Sequence, residues 1–207
     1  MLSSVEKYYS EKIRAHGATP LGVDWNSPQS QELRFRQLLR ICDDANEGLS
    51  ICDYGCGYGA LADSIAERWS DFSYIGYDLS EEMLAQARSL HAGDRFSFSA
   101  DRKEIVPADY CVASGIFNVR LGTPEPEWKE YVRDTIADLA LLGKSGFAFN
   151  ALTSYSDADK KRDDLHYADP LELFDLIKRS YTPRVALLHD YPLYEFTILA
   201  RFEPGTP

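Results

Sequence analysis

Short apolar segments alternate with longer amphipathic segments along the chain from about residue 45 onwards. The apolar segments have the length and composition of buried strands: LSICDY, FSYIGYD, RFSFSA, DYCVASG and GFAFNALTS. The amphipathic segments have apolar positions at helical spacing: ALADSIAERW, SEEMLAQARSL, EPEWKEYVRDTIADLALLG and DPLELFDLIKRSY. This alternation predicts successive strand–helix units and a parallel sheet.

The last two apolar segments, RVALLHDY and YEFTILARF, are separated by only a few residues and can pair only as an antiparallel hairpin. The predicted fold is therefore α/β, a doubly wound, seven-stranded, mostly parallel, Rossmann-like sheet that ends in this hairpin. We predict a single domain over residues 1–207, with an N-terminal helical or loop cap (1–45) and a core (46–202). The cap contains the helix-like RFRQLLRICD and the turn-rich HGATPLGVDWNSPQSQ. It is either a helix that packs on the sheet edge or a lid over a ligand.

Composition narrows the possible partners. A formal net charge of −11 argues against nucleic acid as the main partner. The N-terminal segment has no apolar leader, and no stretch is long enough to span a bilayer, so we expect a cytoplasmic protein without a membrane partner. Cys52 and Cys56 lack a second pair of ligands, so no metal site is expected, and the cysteines are expected to be reduced. The sequence does not predict an oligomeric state.

The segment ICDYGCGYGALADSIAERW carries the most specific motif. Gly55, Gly57 and Gly59 follow the first strand of the α/β region and precede a helix, which is where open parallel sheets bind nucleotides. With Ala60 as its last member, the loop also satisfies the loose dinucleotide pattern G-x-G-x-x-G/A. The glycines alone therefore leave the identity of the nucleotide open.

Three carboxylates together favour a cationic nucleoside over NAD, although one of them fits both ligands. Asp53 would repel a pyrophosphate but attract a ligand that carries an ammonium and a sulfonium. Asp78 ends the second strand, where a carboxylate accepts two ribose hydroxyls, a feature shared with NAD-binding proteins. Asp101 follows the third strand and could accept a hydrogen bond from an adenine amino group. Alternatively, Asp53 is a turn residue and Asp101 is a helix N-cap.

The segments DYGCGYGALA, YIGYDLSEEMLAQAR, SAD and DYCVASGIFN resemble the successive motifs of class I S-adenosylmethionine-dependent methyltransferases, over about residues 50–150. The resemblance implies S-adenosylmethionine as cofactor and S-adenosylhomocysteine as product. It places the methionine end in the loop with Asp53 at its amino group, the ribose on Asp78, and the adenine beside Leu79, Met83 and Asp101. Residues 114–117 would line the methyl-transfer site. The implied cofactor-binding residues are Asp53, Gly55, Cys56, Gly57, Tyr58, Gly59, Asp78, Leu79, Met83, Asp101, Ser114, Gly115, Ile116 and Phe117.

The methyl acceptor is predicted less sharply. Enzymes that methylate the exocyclic amines of nucleic-acid bases resemble one another in carrying Asn or Asp, two prolines and an aromatic after the fourth strand, whereas this chain has SGIFN. We therefore predict a small polar acceptor methylated on a hydroxyl oxygen. The segments WNSPQSQELRFRQLL, ASGIFN, AFNALTSYSD and LHDYPLYEF also resemble uncharacterised bacterial methyltransferases, some of them associated with surface-polysaccharide or other secondary pathways. This resemblance implies a sugar or another small metabolite as acceptor. The alternatives are a cofactor-binding module without catalysis and an NAD(P)-dependent oxidoreductase.

A hydroxyl acceptor needs a base, and His189 or His166 could supply one near neutral pH. Each could instead be an ordinary turn or surface residue. The run Lys160, Lys161 and Arg162 could attract a phosphate or carboxylate, or simply be solvated. The predicted acceptor-binding residues are Trp25, Asn26, Arg34, Asn118, Tyr155 and Tyr191.

Overall fold

The computed structural model describes residues 2–25 and 27–203. Six α-helices are found in these residues: α1 (Leu2–His16), α2 (Pro28–Leu38), α3 (Leu61–Ala66), α4 (Glu81–Leu90), α5 (Glu125–Leu142) and α6 (Pro170–Ser180). The strands are β1 (Leu49–Tyr54), β2 (Phe72–Tyr77), β3 (Phe96–Ser99), β4 (Ala108–Ala113), β5 (Gly143–Leu152), β6 (Arg184–Leu188) and β7 (Glu195–Arg201). Four short 3-10 turns lie between them.

The seven strands form one sheet in the order β3-β2-β1-β4-β5-β7-β6. Strands β1 to β5 are parallel to one another, while β7 is antiparallel to both β5 and β6. The predicted fold class is confirmed, including the terminal hairpin. The strand order reverses between β1 and β4, so their carboxyl ends border the crevice in which such sheets bind ligands.

Helices cover both faces of the sheet, because its central strands are apolar on both sides. On one face Cys52, Cys111 and Phe147 pack with α5 and α6. On the other face Ile51 and Val112 pack with α2, α3 and α4. The two cores fix the sheet between helical layers and leave its carboxyl edge free for a site.

The N-terminal segment differs from the expectation in two ways. Helix α1 was not predicted, although its apolar side chains recur at helical spacing. Helix α2 begins at Pro28, earlier than the predicted RFRQLLRICD, because Ser27 accepts a hydrogen bond from the Ser30 N–H and Pro28 occupies the first turn. The division into a cap (1–45) and a core (46–202) stays a proposal.

Candidate functional site

A cleft lies at the carboxyl ends of β1, β2 and β4, under α1. We call it the glycine-loop cleft. Most of the residues predicted to bind the cofactor line it: Asp53, Gly55, Cys56, Gly57, Tyr58, Asp78, Leu79, Met83, Ser114, Gly115 and Ile116. They come from the carboxyl ends of three different strands and from the segments that follow them, and the sheet topology brings them together.

Gly55 shows why the loop after β1 needs glycine. Its φ of 81° lies in the left-handed region, and a Cβ there would overlap Ile116 Cγ2. The amides of Gly55 and Cys56 both donate to the Tyr77 carbonyl, at 2.7 and 2.9 Å. The loop after β1 is thus fastened to the end of β2 and lies against the loop after β4.

Asp78 joins the loops that follow β1 and β2. Its Oδ2 accepts from the Gly57 N–H at 2.8 Å, and its Oδ1 accepts from the Ser80 N–H at 2.9 Å. Burial raises the pKa of this carboxyl, while the two N–H donors oppose the rise. A carboxylate has about four lone-pair positions, so each oxygen can accept a further hydrogen bond from a ligand hydroxyl.

Asp53 ends β1 as a buried carboxyl group, only 3% exposed. Its Oδ2 accepts a hydrogen bond of 2.6 Å from the Tyr74 hydroxyl. Burial raises the pKa of Asp53 to about 7, against the lowering effect of Tyr74. An ionised carboxylate in this position favours a cation in the cleft. The attraction to an ammonium would offset the free-energy cost of removing the carboxylate from water.

Three predicted cofactor residues do not line the cleft. Asp101 is exposed, and its Oδ1 accepts from the Lys103 N–H at 2.9 Å, so it begins a 3-10 turn. Asp101 therefore has the N-cap role that its sequence position also allowed, as the alternative to binding adenine. Gly59 closes the loop through its bond to the Cys56 carbonyl, and Phe117 is buried against Phe149.

Helix α1 supplies the part of the cleft that sequence reasoning missed. Leu2, Val5, Glu6 and Tyr9 line it. The helix is fixed to α4 through a 2.8 Å hydrogen bond between the hydroxyls of Ser10 and Ser80. The helical spacing of these lining residues is the signal that would have identified the segment.

A second cavity of about 430 Å³ adjoins the first, and we call it the polar cavity. The two share Tyr9, Val23, Trp25 and Gly115. The polar cavity also contains Arg34 and Asn118, so three of the residues predicted to bind the acceptor are brought together here. Its volume is within the range that holds small molecules.

Trp25 and Arg34 form one wall of the polar cavity. The guanidinium carbon lies 3.9 Å from the centroid of the Trp25 ring. Arg34 Nη2 and Nε donate to Glu195 of β7 at 2.6 to 2.9 Å, and both side chains are buried. The opposite edge of the indole lies against Gly115, where a Cβ would be 2.5 Å from Trp25 Cζ2. Trp25 therefore contacts the loop shared by both spaces.

The loop after β4 is held by two buried asparagines. Asn150 Oδ1 accepts from the Gly115 N–H at 2.8 Å, and Asn150 Nδ2 donates to Ser114 Oγ at 3.2 Å. Asn118 Oδ1 accepts from the Leu152 N–H at 3.0 Å. Asn118 thereby ties the loop to the end of β5.

The structure does not bring the two histidines to either cavity. His189 is exposed beside Tyr155, with ring centroids 5.8 Å apart. His166 lies near Trp128, and burial lowers the pKa of its imidazole. Neither imidazole lines the glycine-loop cleft or the polar cavity. The role of either histidine as a base stays a prediction that these two cavities do not support.

Two of the residues predicted to bind the acceptor are likewise elsewhere. Tyr155 is 64% exposed, and the Tyr191 hydroxyl is buried in a 3.0 Å hydrogen bond with Thr197 Oγ1. Asn26 lies outside the described residues. Of the basic run, Lys160 and Arg162 line the polar cavity, whereas Lys161 donates to the Ser154 carbonyl.

Residues 2–25 and 27–203 contain no cluster of three His, Cys, Asp or Glu side chains that could hold a metal. None of their helices is both long and apolar enough to cross a bilayer.

Comparison with known proteins identifies the family. Residues 51–136 match the family described as "Methyltransferase domain". The chain is 51% identical over 164 residues to the Mycobacterium tuberculosis (strain ATCC 25618 / H37Rv) protein named "Putative methyltransferase Rv1506c". The match covers 79% of this chain and 98% of that protein. The chain belongs to the methyltransferase family.

Solved structures share the fold of this chain. The methyltransferase resembles N-methyltransferase NodS from Bradyrhizobium japonicum WM9 in complex with S-adenosylhomocysteine, with a TM-score of 0.66 at 17% identity over 97% of this chain and 98% of that one. It also resembles magnesium protoporphyrin IX methyltransferase from Synechocystis PCC 6803 with bound S-adenosylmethionine, with a TM-score of 0.61 at 17% identity over 84% and 81% of the two chains. S-adenosylmethionine is the cofactor, and the nicotinamide alternative is set aside.

Proposed function

We propose that this methyltransferase modifies an oxygen of a small polar molecule held in the polar cavity. The observation that supports it is the adjacency of the two spaces, which share Trp25 and Gly115. A molecule in the polar cavity would lie next to the reactive end of a donor in the glycine-loop cleft. Such alignment supplies much of the rate in a displacement reaction.

We propose that the residues of the glycine-loop cleft hold the donor in the following way. Asp53 faces the ammonium of the methionine end, the Gly55 and Gly57 backbone lies along that end, and Asp78 accepts the ribose hydroxyls. The fit is supported by a loop in which a Cβ would clash and by a buried carboxylate suited to a cation. Bound there, the donor supplies an electrophilic methyl group on a sulfonium.

The polar cavity favours a small polar acceptor over an apolar one. Trp25 offers one aromatic face, while Arg34, Asn118 and Ser156 offer polar groups. We further propose that nucleic acid is not the acceptor, because the chain carries a formal net charge of −11. A sugar or another small metabolite is compatible with this set of side chains.

A labelling experiment tests the proposal. The protein is incubated with S-adenosylmethionine labelled in its methyl group and with a bacterial extract divided into low- and high-molecular-weight fractions. We expect label in the low-molecular-weight fraction only. Label in nucleic acid or protein would contradict the small acceptor, and absence of label from both fractions would favour a binding module without catalysis.

The same preparation tests the donor site. S-adenosylhomocysteine binding is measured by calorimetry for the wild type and for Asp78→Ala. We expect the variant to lose about tenfold or more in affinity, because it removes an acceptor of two hydroxyl groups. Unchanged affinity would overturn the ribose assignment.

A further inference from the structure

The polar cavity has two carboxylates in its wall, and both are already engaged. Asp24 Oδ1 accepts from Lys12 Nζ at 2.6 Å, and its Oδ2 accepts from the Tyr8 hydroxyl at 2.8 Å. Both oxygens of Glu195 accept from Arg34. Neither carboxylate has an oxygen without a hydrogen-bond donor.

The other groups in the wall do not supply a base either. Burial raises the pKa of the Tyr9 hydroxyl, and the hydrogen bond to Asp157 raises the pKa of Tyr194. The hydroxyl of Tyr167 accepts from the Arg162 N–H at 2.9 Å. Both carboxylates in the wall are also paired with a cation, Asp24 with Lys12 and Glu195 with Arg34, and a neighbouring cation makes a carboxylate a weaker base. The described residues that line the polar cavity therefore favour an acceptor that needs no proton removed over an alcohol, whose methylation requires a base.

Two hydrogen-bond donors in the wall of the polar cavity, in contrast, have no partner among the described residues. Arg34 Nη1 has no hydrogen-bond partner, although the side chain is 8% exposed and lines the polar cavity. The Asn118 side chain uses its Oδ1 for the Leu152 amide, and its Nδ2 makes no hydrogen bond within the described residues. A buried donor without a partner costs free energy, so Arg34 Nη1 favours a ligand that presents oxygen acceptors, and Asn118 Nδ2 offers a second donor in the same wall.

We propose that the methylated atom is a carboxylate oxygen of the acceptor, bound by Arg34 Nη1 and Asn118 Nδ2. This inference rests on the proposed function and names its substrate class. A carboxylate is already ionised at neutral pH, so the reaction needs no base. Its oxygen forms the new C–O bond as the S–CH3 bond breaks, the electron pair stays on sulfur, and the products are a methyl ester and the thioether S-adenosylhomocysteine. No proton is released.

The chemistry of the labelled product tests the inference. The protein, labelled donor and low-molecular-weight extract are supplemented with short-chain mono-, di- and tricarboxylic acids and with the matching alcohols. The product is then treated with alkali. Methyl esters release labelled methanol, which is volatile, whereas methyl ethers and N-methyl groups do not. We expect volatile label.

The outcomes separate the two proposals. Label that stays non-volatile after alkali would overturn the carboxylate while leaving the methylation of a small molecule intact. Absence of labelled product, with S-adenosylhomocysteine still bound, would contradict the proposed function itself and the inference with it.

Asn118→Asp tests the binding residue with little change in shape. The variant keeps an oxygen for the Leu152 amide but replaces the free donor with a negative charge. We expect the rate of volatile-label formation to fall about tenfold or more, because a charge now opposes the acceptor carboxylate. Asn46→Asp, which makes the same change at an exposed site, is the control and should retain the rate. Calorimetry with S-adenosylhomocysteine should give wild-type affinity for both variants, and an unchanged rate in Asn118→Asp would overturn the assignment.

Discussion

Asp53 combines burial, charge and ligand chemistry in one side chain. In an unfolded chain an aspartate ionises near pH 3.9, whereas burial raises the pKa of Asp53 in the folded protein to about 7. Between about pH 4 and pH 7, Asp53 is protonated in the folded state but ionised in the unfolded chain, so the folded state binds one more proton. The contribution of Asp53 to stability therefore becomes less favourable as the pH rises from about 4 to about 7, and it is constant above that range.

We predict that Asp53→Asn stabilises the ligand-free protein at pH 8. The amide removes the buried charge and can still accept from the Tyr74 hydroxyl, so the gain approaches roughly 4 kcal/mol, taking 1.36 kcal/mol for each pKa unit. At pH 4 the wild-type group is protonated and the two proteins should differ little. Urea unfolding at both pH values measures this, and an equal loss of stability at both would contradict it.

The same residue predicts a pH dependence for ligand binding. If the ionised form of Asp53 faces the ammonium of S-adenosylhomocysteine, affinity should rise about tenfold between pH 6 and 8, because the ionised fraction rises about tenfold around a pKa of about 7. Calorimetry at several pH values measures the rise. Asp53→Asn should bind more weakly at pH 8 and show a flat profile, and a rise that persists in the variant would assign it to another group.

Gly115 permits a third prediction at this scale, with a control of matched backbone conformation. Gly115 and Gly122 have φ values of 74° and 78°, so alanine costs roughly 1 kcal/mol at either position. Only at Gly115 does the new Cβ meet Trp25, whereas nothing lies within 4 Å at Gly122. We expect Gly115→Ala alone to lower the methyl-transfer rate and to change the indole fluorescence. Equal effects in both variants would mean that backbone strain is responsible.

At the scale of elements, the alternation of strand and helix segments was sufficient to predict the sheet and its terminal hairpin. The end of a strand fixes where the next residue lies, which is why Asp53 and Asp78 could be placed in the cleft from sequence. Asp101 follows a strand too, but its side chain caps its own turn. Arg34 and Glu195 are 161 residues apart, and no local pattern predicts that they pair in the wall of the polar cavity.

Helix α1 carries the prediction that belongs to this scale. It covers Tyr58 and Met83, which pack with Ile13, and four of its residues line the glycine-loop cleft. Deletion of residues 2–16 should lower the affinity for S-adenosylhomocysteine about tenfold or more, because the ligand would lose one wall of its site.

Arg14→Ala is the control for this deletion. It removes the exposed ion pair between α1 and Glu82, and such pairs contribute little to stability. Calorimetry should therefore give wild-type affinity for Arg14→Ala. Wild-type affinity in the deletion variant would show that α1 is not a lid on the donor.

At the scale of the whole molecule, the polar cavity is where α2 and β7, far apart in sequence, meet. Arg34 comes from α2, near the start of the chain, and Glu195 begins β7, the last strand. Their buried ion pair links the proposed cap to the core. Loss of one partner leaves an uncompensated buried charge, which typically costs about 3 to 5 kcal/mol, whereas replacement of both by apolar groups is often close to neutral.

A double-mutant cycle at this pair tests whether it holds α2 against β7. Arg34→Met and Glu195→Met should each lower the free energy of unfolding by about 3 to 5 kcal/mol, and the double variant should lose less than either alone. Urea unfolding measures all four proteins. The double variant should fold and bind S-adenosylhomocysteine yet transfer methyl groups more slowly, since it lacks the Arg34 donor of the polar cavity. Additive losses of stability would show instead that the two side chains act independently, and that α2 is held on the sheet by its apolar face.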